Sequence, residues 1–117
     1  SATFGAYNLN TTFKELARQN LKMLILTVPG ERIMDPSFGV GLKRYLFEYN
    51  GPETYSNISA KIHQQVAKYL PYISITNLNY STPDNDPDLF PHTLSLRISF
   101  NIVPLATEAA LEIDVKN

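Results

Sequence analysis

The sequence predicts an α+β domain, with helices in the first 70 residues packed on a C-terminal three-stranded antiparallel sheet. Apolar residues recur at helical spacing as far as Leu70, then alternate with polar ones between Tyr72 and Lys116. Pro29-Gly30, Asn50-Gly51-Pro52, Pro71 and Pro104 punctuate the chain where one element should give way to the next. The connections between the β-rich runs are too short for helical crossovers, which makes the strands antiparallel. The two long helices are the available cover for the apolar face of that sheet.

Taken in order, residues 1–10 read as an N-terminal arm, with Phe4, Tyr7 and Leu9 too sparse to define an element, and 11–117 as a single domain. Thr12 looks like an N-cap, with Glu15 completing a capping box, so the first helix is expected over about 12–27. Phe13, Leu16, Ala17, Leu21, Leu24, Ile25 and Val28 form its buried stripe, widened by Met23 and Leu26. Pro29 stops it, and Gly30 supplies the positive φ that a Pro-Gly turn requires. A short helix is expected at 42–47. A second long one is expected over 53–70, burying Tyr55, Ile58, Ile62, Val66 and Tyr69 and turning Ser59, Lys61, Gln65 and Lys68 to water.

Strands follow at about 72–80, 93–103 and 108–116. In the first, the alternation changes phase between Ile75 and Leu78, which calls for a bulge near Thr76-Asn77 or for cover on both faces. In the second, Leu94, Leu96, Ile98, Phe100 and Ile102 should face inward, and in the third Ala109, Leu111, Ile113 and Val115. The acidic, proline-rich loop from Ser81 to Pro91 should be solvated, and His63 and His92 should lie at the surface.

Bulk properties narrow the function. A chain of 117 residues buries roughly two-thirds of its unfolded surface, enough for one core without staples. At 44% hydrophobic and 18% charged it is ordinary globular protein, and a net charge of -1 offers no general attraction to nucleic acid or anionic membrane. No cysteine is present, and two histidines cannot make a metal site without carboxylate help, so neither a metal nor a cofactor is expected. No run reaches the roughly 20 apolar residues of a membrane span, and the first residues lack the features of a secretory signal, so an intracellularly made soluble protein is expected.

Catalytic devices are scarce. Glu31 and Asp35 are the one acid pair a glycosidase reading could use, and any acids so spaced meet that requirement loosely. The plainer reading pairs Glu31 with Arg32 or another Arg, or with backbone N–H groups of the turn. Asp84-x-Asp86-x-Asp88 starts like a calcium loop, but Leu89 and Ser95 stand where glycine and glutamate are needed. Gly39-x-Gly41 is a turn lacking the third glycine of a dinucleotide fingerprint. No enzymatic activity is expected.

The stretch from Leu26 to Leu42, L-T-x-P-G-E-R-x-M-x-P-x-F-G-x-G-L, followed by Leu46-Phe47-Glu48, resembles the baseplate wedge and sheath-initiator family of contractile tails. That family is typified by phage T4 gene product 25 and includes a baseplate component of type VI secretion systems. The similarity runs from the first helix to the end of the chain. Where the family usually carries Glu-Pro-Arg, this chain has Leu70-Pro71-Tyr72, so only the proline and its helix-stop role carry over.

The resemblance implies a structural baseplate subunit that links wedge proteins to the first sheath ring. Its implied neighbours are tail sheath subunits and wedge scaffold proteins, with tail tube or hub proteins as further ones, in a hetero-oligomeric assembly without nucleic acid or membrane. It implies a place in the virion's tail baseplate, assembled in the host cytoplasm. An equivalent subunit of a type VI or phage-derived injection system is the alternative; a peptidoglycan-cleaving enzyme, the type of activity ascribed to some relatives, is a third. Candidate contact residues are Pro29, Gly30, Glu31, Arg32, Phe38 and Gly39 in the loop, Pro71 at the helix stop, and Leu111, Ile113 and Val115 on the last strand. The loop residues either dock a partner or lock the loop to its own domain. The last strand, if it is an open edge, can receive an extended segment of another chain.

Overall fold

In the computed structural model, helix α1 (Ala2–Leu26) leads to a short 3-10 helix (Leu42–Phe47) and then to α2 (Pro52–Tyr69). Strands β1 (Ile73–Ser81), β2 (Thr93–Ile102) and β3 (Thr107–Lys116) complete the chain. The structure describes residues 2–48, 51–83, 93–103 and 107–116, giving backbone alone for 2–10 and 107. Asp84, Asp86, Asp88 and His92 lie outside the described residues. The strands form one antiparallel sheet in the order β1-β2-β3, so the predicted α+β architecture is the observed one. No helix among the described residues is long and apolar enough to cross a membrane.

The phase change in β1 resolves as a bulge. Ile75 pairs with Phe100 and Asn77 with Ser99, leaving Thr76 as the extra residue. Its hydroxyl donates to the Ser99 carbonyl at 3.0 Å. The extra residue puts Ile73, Ile75, Leu78 and Tyr80 all opposite inward residues of β2, namely Ile102, Phe100, Ile98 and Leu96. All five expected inward residues of β2 are buried, and so are Ile113 and Val115 of β3. The opposite face is polar, with Asn79, Arg97 and Glu112 side by side in register.

Helix α2 covers β1: Tyr55 stacks on Tyr80 at 4.8 Å, and the Ser59 and Tyr80 hydroxyls share a hydrogen bond of 2.7 Å. Burial and the loss of solvation raise the Tyr80 phenol above its usual 10.0. Helix α1 covers β3 through fully buried Ala17, Leu21, Leu24 and Ile25. The Tyr72 hydroxyl accepts from the Asn20 side chain at 2.9 Å, tying α1 to the turn after α2. Leu70, where the family's acid would stand, is buried in the core.

Three sequence expectations need correction. Helix α1 starts at Ala2, so Thr12 lies inside the helix and is no N-cap. The residues before Thr12 contain no proline, and a single Gly5 costs only about 1 kcal/mol in a helix; Glu15 pairs forward with Arg18 at 2.5 Å. Phe13, Leu16 and Met23 are exposed, because α1 meets the core only from Ala17 onward and offers it a narrower stripe. Gln65, assigned to water, is buried, because a loop described below closes over it.

The bulge makes a testable prediction. Deleting Thr76 leaves every apolar β1 residue inward and loses one hydrogen bond, costing about 1 kcal/mol in urea unfolding. Deleting Asn79 instead turns Tyr80 outward, and should cost more than about 2 kcal/mol through lost burial.

Candidate interaction surfaces

Two features distinguish this domain: the connector between Val28 and Gly41, and the outer margin of β3. The connector opens with a Pro-Gly turn in which the Glu31 N–H donates to the Val28 carbonyl at 3.0 Å and Gly30 takes φ 97°. The Gly30 N–H donates to the Pro36 carbonyl at 2.8 Å and closes the neck of a loop whose tip is residues 31–35. Farther on, the Val40 N–H donates to the Leu24 carbonyl at 2.9 Å. That bond satisfies an acceptor in the last turn of α1, where no helical partner remains.

Gln65 of α2 holds the middle of the connector. Its Oε1 accepts from the Gly39 N–H at 2.7 Å, and its Nε2 donates to the Ser37 carbonyl at 3.1 Å. Both ends of one amide thus pair two backbone groups that would otherwise be shut away from water. Gly39 has φ 118°, and a Cβ there would overlap the Thr27 carbonyl. Glycine is therefore required twice over, by backbone angle and by space.

A polar knot fixes the far side. The Tyr69 hydroxyl donates to Asp35 Oδ1 at 2.9 Å, and Ser37 Oγ donates to the same oxygen at 3.0 Å. The Tyr69 bond is the main cause holding the Asp35 carboxyl below its usual 3.8, against the opposing effect of desolvation. Phe38 is buried and meets the Tyr69 ring edge-on at 4.9 Å. Arg32 lies over the Phe38 ring at 3.8 Å and places Nη2 2.8 Å from the Met23 sulfur.

The structure therefore separates the loop residues singled out in the sequence. Phe38 and Gly39 face the domain's interior, whereas Gly30, Glu31 and Arg32 are exposed. Glu31 and Arg32 do not form the ion pair considered above: the guanidinium is engaged by Phe38 and Met23. Two residues that sequence reasoning passed over stand out at the tip, Ile33 and Met34, 94% and 95% exposed. An adjacent apolar pair belonging to no helical or strand period was the signal that could have found them.

The second feature is the edge strand β3, bonded on one side to β2. Ile113 and Val115 point their side chains into the core, and Leu111 is half-buried. Arg18 Nε donates to the Ala110 carbonyl at 3.0 Å, so α1 already occupies one acceptor of this strand. A carbonyl reached by a side chain from the covering helix lies on the strand's outer margin. Backbone groups alternate sides residue by residue in an antiparallel strand. Glu112 and Asp114 therefore also present their N–H and C=O groups outward, and Leu111 and Ile113 present theirs to β2. Pro71, at the opposite side of the sheet, is exposed between α2 and β1.

A glycosidase's proton donor has a raised pKa, and Asp35 is shifted the other way by its hydroxyl donors. Among the described residues no cluster of His, Cys, Asp or Glu could hold a metal ion.

Comparison with known proteins gives a consistent picture. The profile of the family described as baseplate wedge protein gp25 matches residues 11–104. A Geobacter sulfurreducens chain with a provisional tail-lysozyme name superposes with a TM-score of 0.71 at 20% identity, over 87% of this chain and 88% of the other. A chain of the anti-feeding prophage baseplate is similar at 27% identity and TM-score 0.58, over 74% of this chain and 68% of that one. A chain of the type VI secretion baseplate complex matches with TM-score 0.61 and 12% identity, over 96% and 99% of the two. No curated protein sequence matches significantly.

Two measurements check the loop's anchoring. Gln65→Leu leaves the Gly39 N–H and Ser37 carbonyl unpaired and should cost about 1–3 kcal/mol in urea unfolding. A carboxyl whose folded pKa lies below its unfolded value adds stability that is complete above the unfolded value and is lost as the pH falls through the folded one. Asp35 thus stabilises the fold above pH 3.8 and ceases to do so in more acid solution. Tyr69→Phe should move the Asp35 titration, followed by carboxyl carbon NMR, up towards that value.

Proposed function

The chain belongs to the baseplate wedge protein gp25 family, and on that footing we propose that it is a non-enzymatic structural subunit of a contractile-tail baseplate. In this reading it links wedge proteins to the first ring of sheath and templates sheath assembly by strand addition. Its partners are sheath subunits and wedge scaffold proteins, with tube or hub proteins nearby, and its place is the tail baseplate of a virion assembled in the host cytoplasm.

The observation that carries the proposal is the outer margin of β3, an edge strand with no proline from Thr107 to Lys116. Ala110 is capped by Arg18, which leaves the outward groups of Glu112 and Asp114 for an incoming extended segment. Main-chain hydrogen bonds would hold that segment, and the acidic side chains beside them would favour a basic one. Leu111, Ile113 and Val115 anchor this margin from beneath by packing it on the core. The exposed loop residues Gly30, Glu31 and Arg32, and Pro71 beyond the sheet, would face the wedge scaffold, with Pro29, Phe38 and Gly39 keeping the loop in shape for that contact.

A second reading has the same subunit in a phage-derived injection apparatus, supported by the 27% identity to the anti-feeding prophage baseplate chain. A cell-wall hydrolase is suggested only by the name of the Geobacter sulfurreducens protein. The lowered Asp35 pKa removes that carboxyl as its proton donor.

Proline at position 114 tests strand addition directly, since it deletes an outward donor and leaves the pairing with β2. Asp114→Pro should fold, yet reduce the fraction of baseplates carrying extended sheath in electron micrographs at least about tenfold, as expected when an edge ladder is interrupted. Ile113→Pro, on the inward side, should instead destabilise the domain. Normal sheath growth on folded Asp114→Pro baseplates would rule out the β3 template. Turnover of peptidoglycan by the purified protein, abolished in Glu31→Gln, would replace the structural reading with the enzymatic one.

A further inference from the structure

Both β1 and β3 are edge strands of the sheet, yet their margins are not alike. The pairing of β3 with β2 runs from Thr107 to Lys116 without a shift. Its outward backbone groups therefore recur at every second residue, at Glu108, Ala110, Glu112 and Asp114. In β1 the period breaks. The Val103 N–H donates to the Tyr72 carbonyl at 2.8 Å, one step beyond the Ile73–Ile102 pair. Tyr72 and Ser74 thus face β2, and Ile73 and Ile75 turn their backbone groups outward. Past the bulge, Asn77 and Asn79 lie opposite Ser99 and Arg97, which share the parity of Asn101 and face β1. Leu78 and Tyr80 are then the outward residues. Those of β1 are spaced two, three and two apart; those of β3 are two apart throughout.

From this broken spacing we infer that the Thr76 bulge closes β1 to added strands, so that the sheet takes a strand at β3 alone and copies of the chain do not join β1 to β1. A straight incoming strand offers donors and acceptors at every second residue, about 7 Å apart. It can match Ile73 with Ile75, or Leu78 with Tyr80, and not both. The first pair is already part used, because the Ile73 N–H donates to the Leu70 carbonyl at 2.9 Å. A ladder two residues long gains too little to offset the ordering of an extended segment. Cover by α2 is not what closes the margin. Shallow grooves of about 420 and 250 Å3 lie between His63 and the stretch from Ile73 to Leu78, so a chain can reach it. The Thr76 hydroxyl, bonded to the Ser99 carbonyl at 3.0 Å, fixes the bulge at this point. A bulge protects an edge in this way by bending it and breaking its period. The inference concerns β1 and holds whether or not β3 receives the sheath.

Amide NMR reads both margins at once, through Ile75, Leu78 and Tyr80 for β1 and Glu112 and Asp114 for β3. The probe is a short synthetic peptide alternating valine and threonine, with a lysine at each end for solubility. In the unaltered chain it should leave the three β1 signals in place. In a variant lacking Thr76 it should shift them saturably, with binding at β1 at least about tenfold tighter, because the unbroken run of outward residues doubles from two to four. Deleting Asn77 instead straightens the strand at the same point and keeps the better strand former, threonine, so it should act likewise if the first variant fails to fold. Adding Leu78→Pro to either deletion removes an outward donor and should abolish the gain. A second copy taking the opened edge, seen as a concentration-dependent dimer in sedimentation of the deletion variants alone, would equally support the inference. Saturable β1 shifts in the unaltered chain would overturn it, as would folded deletion variants whose β1 signals stay in place. The Glu112 and Asp114 signals report strand addition at β3 separately, so either reading can fail without the other.

Discussion

The amide of Gln65 is the interaction on which the shape of the connector depends. A loop carrying two prolines and three glycines between Pro29 and Gly41 has little intrinsic order, and two of its backbone groups are enclosed by the domain. One side chain from α2 pairs both, and the close approach of Gly39 to Thr27 becomes possible only because no Cβ intervenes. With the centre of the loop fixed, Asp35, Ser37 and Tyr69 secure one flank and the Val40–Leu24 bond the other. Within the tip Arg32 and Asp35 hold to the domain, and Ile33 and Met34 between them are left exposed.

The covering helices and the connector leave parts of this small domain's surface open to neighbours in a baseplate. The core occupies one face of the sheet, leaving three separate surfaces: the loop tip with the outer side of α1, the polar sheet face, and the β3 margin. Arg18 joins the first to the last, since it reaches from α1 to the Ala110 carbonyl and holds Glu15 as it does so. A strand added to β3 would thus meet an element already tied to α1. Rigid presentation of this kind lowers the ordering cost of each contact.

Much of the fold was legible because its signals are local. Alternation in β2 named the inward residues, and the broken phase after Ile75 announced a bulge that the pairing with Phe100 and Ser99 places at Thr76. The order of residues from Leu26 to Leu42 pointed to the family that the profile match shows. The rest depended on distant partners. Gln65 lies among polar neighbours on its helix, and only the loop 26 residues earlier makes it a core residue. Thr12 and Glu15 have the form of a capping box, but helix continues through them to Ala2, and Glu15 turns to Arg18. Phe38 looked like a plug for a partner and is a plug for its own domain, because Tyr69 and Arg32 close around it. Ile33 and Met34 were overlooked because periodicity is blind to an isolated pair.

The proposed function requires the outward backbone of β3 to receive a strand from another chain. An electron cryomicroscopy map of this chain within an assembled tail measures that directly. The account predicts a fourth strand on the free side of β3, bonded to Glu112 and Asp114 and belonging to a sheath subunit, with the Arg18–Ala110 bond marking where the pairing stops. A β3 margin open to solvent in the assembled tail, or covered by a helix, would contradict it.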